Sequence, residues 1–370
     1  MEYILIEECC DILDSRRIPI TASDRMSGPY PYYGANGVQD YVADYIFDDE
    51  LVLLAEDGGN FGSKTRPIAY RVSGKCWVNN HAHVLKPMAS MDVDYLCYSL
   101  MFYDTGELVN GATRQKLTQT AMRKILIPQR SLQEQKRIVC ELSKVQSIIS
   151  ARQQQLQKLD ELVKARFVEI FGIYPANPKG WETGTIRDVV SDVRYGSSRP
   201  AVDGGKYPYL RMNNITYGGE LDLSDTKRID IPDNELDKCT VRRGDVLFNR
   251  TNSKELVGKT CVYNRDDMMV LAGFVIRVRV SERILPEFLS EFLNTEFSKQ
   301  MLLAMCKTAI GQANINAQEM QKIGLYLPPI ELQRKFVQFK EQTDKSKVAV
   351  QKALDEAQLL FDSLMQKYFR

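Results

Sequence analysis

The chain has 370 residues, of which 44% are hydrophobic and 26% charged, with a formal net charge of +1. That is enough apolar content for real cores, and the length makes two domains the expectation. No apolar run approaches the roughly 20 residues that span a bilayer, and the acidic start Met1-Glu2-Tyr3-Ile4-Leu5-Ile6-Glu7-Glu8 lacks the basic flank and cleavage site of a signal peptide, so a cytoplasmic protein with no membrane partner is expected.

Residues 1–130 read as a first globular domain of short strands and turns. Tyr41–Ile46, Leu51–Ala55 and Cys76–Val78 are the expected strands, Pro29–Gly37 and Asp57–Gly62 the expected loops, and Asp94–Met101 a short helix. Residues 131–171 change character, and Gly is absent until Gly172. Ile138, Leu142, Val145, Ile149, Arg152, Leu156, Leu159, Val163, Arg166 and Ile170 follow spacings of 4 and 3, the seam of a coiled coil. Residues 172–329 form a second domain opened by Trp181. Ala272–Val280 is an expected strand, Asp245–Arg250 parallels Glu50–Ala55, and Leu285–Met305 is expected to be helical before a loop at 311–316. Residues 330–370 read as a second long helix. At 1.5 Å per residue each long helix is about 60 Å in length.

The two halves repeat. Ile125-Leu126-Ile127-Pro128, followed by Leu132-Gln133-Glu134-Gln135-Lys136-Arg137-Ile138-Val139, returns 198 residues later. There it reads Ile323-Gly324-Leu325-Tyr326, then Ile330-Glu331-Leu332-Gln333-Arg334-Lys335-Phe336-Val337. The seam repeats at the same offset, from Phe336 to Tyr368. An internal two-fold of this kind sends one helix up and the other down. The fold class expected is therefore α+β, with two similar domains bridged by an antiparallel pair of long helices. Gln135 and Gln333, opening those helices, read as helix-initiating residues on a solvated face.

Catalytic motifs fail on inspection. Gly62-Ser63-Lys64-Thr65 and Gly258-Lys259-Thr260 do not complete a phosphate-binding loop. No methyltransferase box and no GxSxG is present, so the sequence assigns no catalysis. The eight cysteines are scattered without a CxxC, which reads as reduced thiols rather than a zinc site. His81 and His83 share a strand face, but the sequence supplies no third metal ligand, and hydrogen-bonded imidazoles at a strand end are the plainer reading.

Polar loops hold the candidate binding residues. Arg pairs bidentately with guanine and Asn with adenine in the major groove, while Lys, Ser and Thr suit phosphates. Turns are also rich in Asn and Ser for their own backbone reasons. The set singled out is Tyr32, Tyr33, Asn36, Asn79, Asn80, His81 and Arg114 in the first domain, with Arg199, Arg211, Asn213, Asn214, Arg250, Asn252, Lys254, Gln312 and Asn314 in the second.

Taken together, Leu132–Val139 after one domain, Leu327-Pro328-Pro329-Ile330-Glu331-Leu332-Gln333 after the other, and Tyr30-Pro31-Tyr32-Tyr33-Gly34-Ala35 with Tyr207-Pro208-Tyr209-Leu210-Arg211 make the chain resemble the specificity subunit of type I restriction–modification systems. One departure is Gln129-Arg130-Ser131, where the family has a proline-rich stretch. The resemblance implies a non-catalytic reader of double-stranded DNA with two target-recognition domains, each binding one half of a split, asymmetric sequence. It also implies that the helices dock two modification subunits, which carry S-adenosylmethionine, and that restriction subunits bring ATP, Mg and cleavage. This chain itself would hold no cofactor and no metal. The rival is a coiled-coil scaffold joining protein partners without DNA, which the near-neutral charge favours and the Arg- and Asn-bearing loops disfavour.

Overall fold

The structure, a computed structural model, describes residues 2–111, 115–309 and 312–370. The chain divides into two compact units, one made of Met1–Gln153 with Gln351–Arg370 and the other of Gln154–Val350.

The first unit contains β1 (Tyr3–Leu5), α1 (Ile6–Cys9), β2 (Cys10–Ile12), β3 (Ser27–Gly34), β4 (Gly37–Val42), β5 (Phe47–Ala55), β6 (Ala69–Val78), β7 (Ala82–Pro87), α2 (Val93–Met101), β8 (Val109–Asn110), β9 (Lys116–Leu117), α3 (Gln119–Met122), β10 (Leu126–Pro128) and the start of α4 (Leu132–Phe171). Its sheet runs β2-β7-β5-β6-β3-β4. Leu51–Ala55 is buried on both faces, as a continuous apolar run in a central strand should be. The Asp92 carboxylate accepts from the amides of Asp94 and Tyr95 and so starts α2, whose Tyr95, Leu96 and Leu100 enter the core.

The expected loop Pro29–Gly37 is mostly strand. Its prolines precede Tyr32, where the parallel pairing with β6 begins, so only the β4 edge asks Pro29 and Pro31 for ladder bonds. Of the expected strand Tyr41–Ile46, Tyr41 and Val42 close β4, and residues 43–46 are the turn into β5.

The second unit contains the rest of α4, β11 (Glu182–Thr185), β12 (Val190–Tyr195), β13 (Tyr207–Leu210), β14 (Lys227–Ile229), α5 (Asp233–Cys239), β15 (Thr240–Val241), β16 (Val246–Asn249), β17 (Thr251–Asn252), β18 (Thr260–Val262), β19 (Met269–Leu271), β20 (Val275–Val280), α6 (Pro286–Asn294), α7 (Glu296–Met305), β21 (Lys307–Ala309), β22 (Gln312–Asn314), α8 (Ala317–Gln321), β23 (Gly324–Leu327) and the start of α9 (Ile330–Phe369). Its sheets run β12-β20-β16-β18 and β14-β13-β19-β15.

These two sheets are the first unit's sheet with two strands interrupted. Val52 pairs with Leu85 and Val246 with Val278, while Phe47 pairs with Cys76 and Val241 with Met269. Strand β5 thus corresponds to β15 plus β16, and β6 to β18 plus β19. The break in β5's counterpart falls at Arg242-Arg243-Gly244-Asp245, where Gly244 takes a φ of 88° that a side chain would resist. This register matches Leu51 to Asp245, one residue away from the correspondence read in the sequence. The helix expected over Leu285–Met305 is two helices, α6 and α7, because Thr295 ends one and caps the next through the Ser298 amide.

Both long helices bury the expected seam. In the first unit Ile138, Leu142, Val145 and Ile149 share one core with Phe361 and Tyr368, and the Tyr368 hydroxyl donates to Glu141 at 2.6 Å. In the second unit Phe167 and Phe171 pack edge-on against Phe336, and Lys347 pairs with Asp160. The partner on α4 falls in number as α9 advances, so the two segments run antiparallel in this unit.

Gln135 and Gln333 are not on a solvated face. They are 2% and 0% exposed. The Gln135 amide donates to the carbonyls of Arg130 (2.9 Å) and Ser90 (3.0 Å) and accepts from the Asp92 amide (2.7 Å). Gln333 donates to Pro328 (2.8 Å) and Arg283 (3.3 Å) and accepts from Leu285 (2.8 Å). Each glutamine ties a long helix to the N-terminus of the domain helix beside it. The Gln129-Arg130-Ser131 departure leaves this geometry intact, since Ser131 and Glu134 form a capping box at the start of α4.

Candidate nucleic-acid interface

The loops at one end of each sheet carry most of the candidate residues. In the first unit Asn36 is exposed and donates to the Gly58 carbonyl at 3.0 Å. His81 Nδ1 lies 2.6 Å from Asp57, and Asp57 bridges to Lys116 through the backbone. Asn80 is exposed in the same turn. Three loops and the β9 end therefore meet around Asp57.

The second unit builds the same end from different side chains. The Glu56 amide donates to His81 and its carbonyl accepts from Leu117 (2.7 Å). The Arg250 amide donates to Phe274 and its carbonyl accepts from Ile315 (2.9 Å). The bridge of Asp57 to Lys116 becomes the pairing of Thr251 with Asn314. Arg250 stacks on the Tyr195 ring at 4.8 Å and donates to the Asn314 side chain at 3.3 Å. Its Nε is buried and meets no hydrogen-bond acceptor among the described residues. Asn252 is held by Asn249 (2.9 Å), and Lys254, two residues on, and Asn213 are exposed. Lys259 lies beneath, where burial pulls its amine below the ordinary range and its Nζ donates to the Met212 carbonyl at 2.9 Å.

Several candidates are structural rather than presented. Tyr32 is buried, with its hydroxyl bound at Ile20 and Arg25 against its ring at 4.2 Å. Asn79 is buried between Gln39 and the His81 amide. Asn214 is buried and closes its own turn on the carbonyls of Asp222 and Asp225. Short polar side chains suit such turns because they satisfy local backbone. Tyr33 is half-buried against Tyr70, and burial raises its phenol. Arg211 pairs with Asp225 at 2.8 Å, and Arg199 makes a two-pronged pair with Glu235. Arg114 lies outside the described residues. Gln312 lies in β22, and its side chain is not described.

The sequence reading missed Lys116, Tyr195 and the exposed Phe274, which stands where His81 stands in the other unit. The strand correspondence places Tyr195 and Phe274, at offsets near 180 and 193 that the visible repeat does not show, whereas Lys116 answers to Asn314 at the repeat's own offset of 198 and was hidden because its charge stands across the bridge from the place of Arg250.

The two histidines do not act as a pair. His83 is fully buried, with Nδ1 2.6 Å from Asp14 and Nε2 2.8 Å from the Leu117 carbonyl. Asp14, Glu56 and His83 bring possible ligand atoms within 4.8 Å of one another, the third-ligand source that the sequence hid. The carboxylates are already compensated: Arg17 lies 2.6 Å from Glu56 and 3.5 Å from Asp14, and Lys116 lies 3.0 Å from Glu56. Burial pushes both carboxyls up, but the hydrogen bonds from His83 to Asp14 and from Arg17 and Lys116 to Glu56, with neighbouring positive charge, hold both below the usual range. Two cations against two carboxylates make an ion-pair network rather than a vacant cation site.

A model of the type I restriction modification DNA specificity domain matches residues 1–161 and 178–357. A Haemophilus influenzae chain named as a type I restriction enzyme specificity subunit is 37% identical over 139 residues, 38% of this chain and 36% of that relative. The match thus spans about a third of that relative's length. The EcoKI specificity subunit of Escherichia coli is 22% identical over 345 residues, covering 87% of this chain and 74% of the relative. The crystal structure of the type I restriction–modification S subunit from M. genitalium superposes with a TM-score of 0.59 at 14% identity, covering 100% of this chain and 96% of that one. A chain from the structural work on complex assembly and conformational transition of the type I R-M system gives 0.57 at 17% identity, covering 100% and 97%. Two matched regions, each taking in one domain and most of the long helix that follows it, with one strand order in both, place this chain in the type I restriction–modification DNA specificity family.

Proposed function

We propose that the chain is the DNA-specificity subunit of a type I restriction–modification complex and reads a bipartite, asymmetric duplex target, one half with each unit. One observation carries this: a single strand order presents loops at the same end of each sheet, and the side chains on those loops differ. A repeated frame with unlike readers suits two unlike half-sites. The long helices serve modification subunits, and Leu162 and Leu360, 198 residues apart and each about half exposed, offer equivalent apolar docking points. Methyl transfer, with S-adenosylmethionine, and ATP-driven cleavage, with Mg, belong to the modification and restriction subunits. No helix among the described residues is long and apolar enough to cross a membrane, and the complex is proposed to work in the cytoplasm.

The test is DNA binding by the chain assembled with its modification subunits, measured against a randomised duplex pool at two salt concentrations. Phosphate contacts make affinity fall steeply as salt rises, and specificity enriches two short words with an unread gap. Binding without sequence preference, or no binding, would overturn the reading in favour of the scaffold.

A further inference from the structure

The repeat brings one pair of positions into the same backbone setting twice. Glu56 and Lys116 flank the bridge next to Leu117 in the first unit, and Arg250 and Asn314 flank the pairing next to Ile315 in the second. Across that bridge the side chains touch in both units: Lys116 Nζ lies 3.0 Å from Glu56, and Arg250 donates to Asn314 at 3.3 Å. The cation has changed sides. In the second unit it stands on the strand end and its anchor on the hairpin, while in the first the anchor is on the strand end and the cation on the hairpin.

We propose that Lys116 is the first unit's base-reading residue, filling the place that Arg250 fills in the second, and that each takes a guanine through the O6 and N7 acceptors of its major-groove edge. This rests on the DNA-specificity reading above. Lys116 is 49% exposed while its anchor Glu56 is 13% exposed, so among the described residues the amine is held by one acceptor and keeps other protons for a ligand. Arg250 is fixed by Tyr195 and Asn314 and has a buried Nε that meets no acceptor among the described residues. The surroundings separate base from backbone. Arg17 and Lys116 stand against Asp14, Glu56 and Asp57, so the cluster has no positive excess to draw a phosphate, whereas a neutral base edge needs only donor protons. A lysine or arginine is the usual donor to guanine O6 and N7.

The experiment compares methylated motifs, read by sequencing, in cells expressing the modification subunits with wild-type chain, Lys116→Ala, Glu56→Gln or Arg250→Ala. Lys116→Ala is expected to relax one base pair in one half-site by on the order of tenfold or more, and Arg250→Ala to relax a base pair in the other half. Glu56→Gln, which keeps the side chain's shape but weakens the anchor, should relax the same base pair as Lys116→Ala by less. Uniform weakening across all sequences, or an unchanged first half-site with a normal melting temperature, overturns the inference while leaving the wild-type bipartite motif standing. A wild-type complex that methylates without sequence preference overturns the DNA-specificity reading itself.

Discussion

Gln135 accepts a hydrogen bond from the Asp92 amide at 2.7 Å, and Gln333 accepts the equivalent one from Leu285 at 2.8 Å. With the two carbonyls that each amide group also reaches, both glutamines clamp the N-cap amide of a domain helix to the opening turn of a long helix. The orphan groups at a helix start need such partners when buried.

Replacing either glutamine by alanine strands buried donors and acceptors. Gln135→Ala and Gln333→Ala are each expected to destabilise by about 1–3 kcal/mol, read as a lowered urea midpoint. Gln153→Ala, on an exposed position of α4, should stay within about 0.5 kcal/mol. Equal midpoints for clamp and control would show that the amides contribute nothing.

Phe336→Ala removes a ring packed against Phe167 and Phe171. A cost of about 3–5 kcal/mol is expected, against a small change for Leu359→Ala, which is largely exposed on the same helix. Calorimetric melting of both variants decides it.

Acid should weaken the first unit through Asp14 and Glu56. Both carboxyls are held below their ordinary values in the fold, so their contribution is fully present above the unfolded values of about 4 and fades as pH falls through the lower folded values. Asp14→Asn with Glu56→Gln should lower stability at pH 7 and flatten its acid-side decline. Denaturation curves at pH 7, 5 and 3.5 give the readout, and parallel declines for variant and wild type would rule the network out as the source.

Arg250→Lys keeps the charge but loses the planar fork that stacks on Tyr195. Sequencing of methylated sites should show one half-site relaxed by roughly 1–3 kcal/mol and the other unchanged, because distant sites add without coupling. Relaxation of both halves together would contradict independent readers.

The long helices were legible because a seam of 4 and 3 spacing leaves a direct trace, and every seam position from Ile138 to Ile170 is at least half-buried. The second sheet was harder. Strand pairing tolerates almost any sequence that keeps the pleat, so β5 and its interrupted counterpart β15 and β16 share register but few residues. Among candidate readers, chemistry alone could not separate Asn36 from Asn79: both are turn asparagines, and only the fold shows that Asn79 spends its amide on Gln39 while Asn36 stays at the surface. Lys116 escaped notice because its significance lies in Glu56, sixty residues away.

The first unit is discontinuous in the chain. Its core needs Phe361 and Tyr368 as well as Ile138 and Leu142, whereas every residue of the second unit lies between 154 and 350. Ribosomes deliver the chain from the N-terminus, and domains usually close in that order. Here the order is reversed: the second unit can close first, while the first must wait as an incomplete core until residues 351–370 emerge. A frameshift near residue 350 would then leave a finished second unit carrying an unfinished first, exposing the Ile138–Ile149 seam to chaperones and proteases rather than to DNA.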